Sequence, residues 1–434
     1  MTHLSRRRWS ALVLWLVTAL GVPLSAFAPA EANNVRIAHT LFGVHDSSLL
    51  SHSHVHDGSV RLWDVGVQWR DIEKSPGVYD FARLDQLVTA AQAAHESVTM
   101  VLAMTPSFYA PATPTDPPGK LQHFTDFVSA VMHRYRSFHG KRGISSYQVW
   151  NEANISTFWT GSMTQMAKLS KIVHDVGNRV DPQATIVSPP MVTRLGYQLD
   201  WLKKFYGMKL GGTPVWKFYD ALGFSLYPLP TYGGRPGGPE DSMRQLGQVR
   251  SRLRSDHVPA SVPIWNTEVN YGLQTGSLGG TPATPISSAK QASYVARTYL
   301  LNAAARVKRV YWYRYDLGAF SSGATLANTL LSQPGSPSVV TPAGRAFALV
   351  QKWMHGSLVG SGSHAPCAKD RHGTYTCVVK DSSGTRRIYW NPNRKGRVRL
   401  ASSARHAQTI LGAVSKVKGG SRLTVNYRPV MVYH

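Results

Sequence analysis

Hydrophobic positions along this chain follow two alternating rhythms. Short, nearly continuous apolar runs fall at 35–42, 60–67, 98–104, 147–150, 185–188, 221–226, 263–267 and 309–313. Runs of that length and density suit strands buried on both faces. Between them lie longer stretches with apolar residues at helical spacing, at 82–95, 121–139, 164–180, 200–206, 242–254 and 289–305. In the first of these, Leu84, Leu87, Val88 and Ala91 share one helix face, at offsets of three, four and seven. Eight strands alternating with helices predict an α/β fold, a parallel sheet closed into a (β/α)8 TIM barrel. The segment 45–58 breaks the alternation and reads as a loop. A last helix is expected over 341–354, with Pro342 in its first turn and Gly356 at its end.

Beyond residue 356 the texture changes. Short β-like runs at 375–379, 387–390, 398–400, 408–411 and 423–427 are separated by Gly, Pro and Asn. They predict a small antiparallel β domain over 357–434, packed on a catalytic-size barrel over 31–356. The Gly- and Pro-rich stretches 228–239 and 272–285 follow strands six and seven, where a barrel carries its working loops. At 434 residues, one large domain with a smaller module is the expected organisation.

The first 30 residues differ from the rest. Arg6, Arg7 and Arg8 precede an apolar stretch from Trp9 to Leu20, and small residues follow at Ala26-Phe27-Ala28 and Ala28-Pro29-Ala30. That order is the pattern of an export signal, and it predicts a secreted or cell-surface protein. Retention of the segment as a membrane anchor is the alternative, although its apolar part is short for a bilayer span. The only two cysteines, Cys367 and Cys377, then read as a disulfide closing a hairpin loop.

The formal net charge is +25, and from Lys369 to His434 there are 14 Lys and Arg against 2 Asp and Glu. A surface of that sign attracts polyanions such as acidic cell-wall polymers. No nucleic-acid-binding motif accompanies it, so a nucleic-acid partner is not expected. Oligomeric state is not legible.

The chemistry sits at two strand ends. Tyr147-Gln148-Val149-Trp150-Asn151-Glu152 and Pro263-Ile264-Trp265-Asn266-Thr267-Glu268 are both apolar, aromatic runs that finish in an acid. Strands four and seven of a barrel deliver their C-terminal ends to one mouth. Two carboxyls brought together there at roughly 5 Å suit glycoside hydrolysis with retention: one protonates the leaving oxygen and the other attacks the sugar carbon.

Trp150-Asn151-Glu152 with Asn154, and Thr267-Glu268, resemble the acid/base and nucleophile segments of clan A glycoside hydrolases. Val60-Arg61-Leu62 with Trp69, Ile72-Glu73, Gly77-Val78-Tyr79-Asp80-Phe81 and Leu84-Asp85 is similar to the second-strand region of family 39. The resemblance covers roughly residues 35 to 355. Ala153 departs from it, because the family motif carries proline there.

The resemblance implies Glu152 as acid/base and Glu268 as nucleophile. It implies that Asn151 binds the sugar 2-hydroxyl, that Arg61 and Tyr227 hold Glu268 ionised, and that Trp312 forms an aromatic floor. It also implies an oligo- or polysaccharide substrate and no cofactor. His45 and Asp46, just past strand one, are candidates to reach a sugar hydroxyl. His52, His54 and His56, with Asp46 and Asp57, raise a metal site, but no carboxylate-rich cage accompanies them and none is expected. A catalytically inactive glycan-binding protein and a transglycosylase are the alternatives on the same scaffold.

Overall fold

The computed structural model describes residues 34–51, 57–232, 234–272, 286–316, 329–360 and 365–434. The N-terminal segment, His52, His54, His56 and most of the loop 272–285 lie outside them. No helix among the described residues is long and apolar enough to cross a membrane.

The central strands are β1 (Phe42–Val44), β2 (Ser59–Leu62), β3 (Ser97–Leu102), β4 (Ser146–Val149), β5 (Thr185–Val187, resuming as Met191–Val192), β6 (Leu222–Ser225), β7 (Ile264–Val269) and β8 (Arg309–Trp312). Every pairing between them is parallel, and the ends of the hydrogen-bonded path are the two pieces of β5. Pro189 and Pro190 interrupt that strand because proline cannot donate to a ladder. A parallel bridge from Val187 to Ala221 spans the break and closes the ring.

Seven helices follow β2 to β8 in turn: α1 (Ala82–Ala93), α2 (Leu121–Tyr135), α3 (Met163–Val180), α4 (Gly196–Gly207), α5 (Pro239–Ser255), α6 (Ser288–Ala304) and α7 (Pro342–Met354). The expected face of α1 is buried, with Leu84, Leu87, Val88 and Ala91 all inaccessible to solvent. Each leucine there contributes about 1.5–3 kcal/mol by leaving water. Thr341 caps α7 by accepting from the Gly344 amide at 3.1 Å. Among the described residues between β1 and β2 there is no helix, in line with the loop read over 45–58.

The expected first strand is corrected. Val35 and Arg36 pair antiparallel with Leu358 and Ser357, so they join the C-terminal sheet rather than the barrel. That sheet continues through Tyr375–Asp381, Gly384–Trp390, Val430–Tyr433, His406–Thr409 and Val414–Lys416. Gly396–Arg399 and Arg422–Val425 form a separate ribbon. The Cys367–Cys377 disulfide fixes the edge of the sheet beside Ala368–Lys369.

The module shares the barrel's hydrophobic core through Val379, Ile388, Trp390 and Met431. The Trp353 indole donates to Gln408 Oε1 (2.9 Å), and the Trp390 indole donates to Glu240 Oε1 (3.0 Å). Gly356 makes the turn between the parts. Its φ is 114°, and a Cβ there would stand 2.3 Å from the Lys380 carbonyl oxygen.

Candidate active site

Inside the ring the side chains form layers of opposite character. Val187, Ala221, Trp265 and Tyr311 make an apolar plug at the N-terminal ends of the strands. Toward the C-terminal ends the interior turns polar, with Arg61, Thr99, Gln148 and Ser225 all fully buried.

Arg61 organises the polar end. Its guanidinium is 0 % exposed and has four neighbours: Gln148 Oε1 (2.7 Å from Nε), Glu268 Oε2 and His45 Nε2 (each 3.2 Å from Nη1), and Asn151 Oδ1 (2.9 Å from Nη2). A residue of β4, one just after β4, one just after β1 and a residue of β7 therefore meet on one cation from β2. A buried charge is tolerated only when paired and hydrogen-bonded in this way.

Glu268 reaches the interior because β7 carries a bulge. Trp265 points inward at the plug, so strict alternation would also turn Thr267 inward and Glu268 outward. The pairing shifts instead: Asn266 faces Phe224 but Glu268 faces Ser225, and on the other side Val269 faces Trp312. The extra residue re-aims the carboxylate into the barrel. There Oε1 accepts from the Tyr227 hydroxyl at 2.7 Å.

Glu152 is placed by a tight turn after β4. Trp150 (φ 54°) and Glu152 (φ 35°) both hold left-handed backbone conformations. Such residues cost about 1–3 kcal/mol each and persist only where surroundings enforce them. Here the Trp150 indole donates to the Phe158 carbonyl (2.6 Å), and the Asn154 amide exchanges hydrogen bonds with the Val192 backbone (2.8 and 2.9 Å).

Burial raises the pKa of both carboxyls. Glu152 is opposed chiefly by the positive charge of Arg194. The Ser225 hydroxyl also tempers the rise, although it is not aligned for a full hydrogen bond. For Glu268 the charge of Glu152 adds to the burial effect, and the resulting value of about 8 belongs to the interacting pair as its last proton leaves. Two buried acids that repel each other retain one proton between them at neutral pH. Arg61 and Tyr227 both donate to Glu268, so its anion is the better stabilised and the proton belongs on Glu152.

Several expected residues are brought together: Glu268, Asn151, Arg61 and Tyr227 form one hydrogen-bonded cluster, and Glu152, next to Asn151 in the chain, lies near enough for its charge to act on Glu268. Three placements are corrected. Trp312 is 0 % exposed, packs 5.8 Å from the Tyr271 ring, and donates its indole N–H to the Thr329 carbonyl (2.8 Å). Because Tyr311 fills the plug, alternation along β8 turns Trp312 away and Tyr313 toward the mouth. Tyr313 is half-buried, donates to Asp64 Oδ2 (2.8 Å), and packs edge-on against His45 at 4.9 Å. His45 is buried beneath Arg61 rather than lining the cleft. Burial and the Arg61 charge lower its pKa well below the ordinary value, so it supports Arg61 as a neutral ring. Asp46 Oδ1 accepts from the backbone N–H and hydroxyl of Ser48 (2.8 and 2.9 Å) and shapes its own turn.

Arg194 was not anticipated. Its guanidinium lies 5.5 Å from the Tyr227 ring, with Nε and Nη1 buried and lacking a hydrogen-bond partner among the described residues. It follows the second piece of β5, past the two prolines that end the strand-like run in the sequence. Among the described residues no group of His, Cys, Asp and Glu is arranged to hold a metal ion.

No family model matches the chain, and no curated protein matches it in sequence. Solved structures do match in shape. A family 39 glycoside hydrolase from Bacteroides cellulosilyticus superposes with a TM-score of 0.63 at 17% identity, covering 90% of this chain and 79% of that one. A family 39 β-xylosidase from Caulobacter crescentus gives 0.63 at 14%, covering 92% and 96%. A family 51 arabinofuranosidase from Xanthomonas axonopodis gives 0.61 at 11%, covering 93% and 97%. The likeness is one of fold. At 92% coverage it extends over the C-terminal module as well as the barrel.

Proposed function

We propose that the protein is a retaining O-glycosidase that cleaves an oligo- or polysaccharide by double displacement. The observation that carries this reading is the Arg61 cluster, which binds the Glu268 carboxylate and the residue next to Glu152 to one cation. The fold shared with glycoside hydrolases of families 39 and 51 supports it.

Glu268 attacks the anomeric carbon while Glu152 gives its proton to the leaving oxygen. A glycosyl ester forms on Glu268 and the glycosidic bond breaks. The charge of Glu268 is then gone, so Glu152, now a carboxylate, takes a proton from water as that water attacks the ester. The free sugar leaves, and the starting protonation state returns. Asn151 has its Oδ1 committed to Arg61, which leaves its Nδ2 amide to donate to a sugar hydroxyl. Tyr313 offers the aromatic edge of the mouth in place of Trp312.

The reading extends to export from the cytoplasm, supported by the N-terminal Arg6–Arg8 and apolar pattern and by the disulfide. The test is a panel of aryl xylosides, arabinosides and glucosides, and of cell-wall glycans, with wild type, Glu152→Gln and Glu268→Gln. Turnover by wild type that both variants lose supports the reading. Equal inertness of all three with retained glycan binding overturns it in favour of a binding protein.

A further inference from the structure

A groove of about 740 Å³ runs between the barrel and the C-terminal module, lined by both. Its barrel wall is formed by the first turns of α5 and α6 and the end of the loop before α5, including Arg235, Arg244 and Lys290. Its module wall includes Lys369, Tyr375 and Tyr427. Both helices begin where loops leave the C-terminal ends of β6 and β7, so the groove opens on the same side of the barrel as the mouth. The loop 228–238 connects them directly, because Tyr227 at its start touches Glu268 and Arg235 near its end lines the groove.

The charge of the groove is unbalanced. Five cations line it, Arg235, Arg244, Lys290, Arg297 and Lys369, against two acids, Glu240 and Asp241. Asp241 is bound by Arg235 (2.7 Å) and Arg244 (2.6 Å). Glu240 is bound by Arg297 and by the Trp390 indole. Lys290 and Lys369 have no carboxylate partner among the described residues. Lys369 lies instead 5.8 Å from the ring of Tyr375, which is stacked on buried Trp390 at 4.7 Å and so cannot swing away. The walls are therefore partly aromatic and positive.

We propose that this groove is a second binding site, for an acidic polysaccharide whose sugars carry carboxylates, such as a uronic-acid chain. Lys290 and Lys369 supply the unneutralised charge for those carboxylates. Tyr375 and Tyr427 offer ring surface to the apolar faces of sugars. Asp241 is buried with four donors on its two oxygens, whereas Glu240 accepts from three and keeps one acceptor lone pair for a sugar hydroxyl. Sugar hydroxyls can donate to the remaining Glu240 acceptor, which the phosphates of a nucleic-acid backbone cannot do. The site does not depend on the bond-cleaving reading, since its binding is measured on a protein unable to cleave.

The test is calorimetric titration of the full chain carrying Glu268→Gln with oligogalacturonate, neutral xylo-oligosaccharide, a polyphosphate-backbone teichoic acid and a single-stranded oligonucleotide. Lys290→Ala with Lys369→Ala is compared with Lys416→Ala with Lys418→Ala, which removes equal charge from an exposed hairpin elsewhere on the module. The groove pair is expected to weaken oligogalacturonate binding about tenfold or more, while the hairpin pair changes it less than about twofold; a tenfold change is 1.4 kcal/mol. Equal losses for the two pairs, no loss for either, or tighter binding of teichoic acid or oligonucleotide at these lysines overturns the proposal. Loss of turnover on small aryl glycosides plays no part in the outcome.

Discussion

The two ends of the barrel interior are equally buried, yet they are made for different ends. The foot, of Val187, Ala221, Trp265 and Tyr311, holds only side chains that gain by leaving water. The mouth holds a guanidinium, two carboxyls and a neutral imidazole, each of which loses hydration on burial. It also holds two left-handed residues and a bulge within a few positions of the acids. The foot is where stability is gained and the mouth is where some of it is given up, which supports placing the proposed chemistry at the mouth without appeal to any resemblance.

That contrast is open to attack from both ends. The largest effect is expected from Glu268→Gln, which should lower kcat by about 10⁴-fold or more while leaving circular dichroism native-like. Trp265→Ala at the foot should do the reverse. It should cost about 3–5 kcal/mol of stability in denaturant titration, with kcat of the remaining folded protein unchanged. Arg61→Lys should lower kcat about 10²-fold, since an ammonium cannot hold Glu268, Asn151 and Gln148 together, and KM should move little. Tyr313→Ala should raise KM about tenfold by removing the aromatic edge. Trp312→Phe should instead cost about 1–2 kcal/mol of stability with KM unmoved. A Trp312 effect on KM without loss of stability would return that residue to the cleft.

The smallest effect is on pH dependence. Both acids have pKa values raised in the folded protein, so the folded state binds more protons than the unfolded state between their ordinary value of 4.5 and about 8. Stability is expected to fall as pH rises through that window, and Glu268→Gln should flatten the fall while Trp265→Ala should not. Activity should decline above about pH 8, where the pair surrenders its shared proton.

Much of this was legible in the sequence. The alternation of apolar runs and helical stretches gave the barrel, because strands buried on both faces and amphipathic helices differ in period. The two acidic strand ends and Arg61 were also legible. The errors came where backbone detail overrides pattern. Pro189 and Pro190 made β5 seem to end at Ser188, which hid Arg194. The run through Trp312 and Tyr313 offered two adjacent aromatics, and only the inward placement of Tyr311 decides between them. Val35 and Arg36 read as part of the first strand, since nothing local distinguishes pairing with β8 from pairing with residues more than 300 positions away. His45 and Asp46 were expected to reach a sugar hydroxyl because they follow a strand end, but both are buried, His45 against Arg61 and Asp46 in its own turn.

The central claim is that Glu268 becomes covalently glycosylated with Glu152 as its partner acid. Its most direct test is mass spectrometry of the protein after incubation with a 2-deoxy-2-fluoro glycoside of whichever sugar the aryl panel identifies. One added fluorosugar on the peptide that contains Glu268, absent from Glu268→Gln, is the predicted result. A label on any other residue, or inversion of the anomeric carbon with no label during turnover, would contradict it.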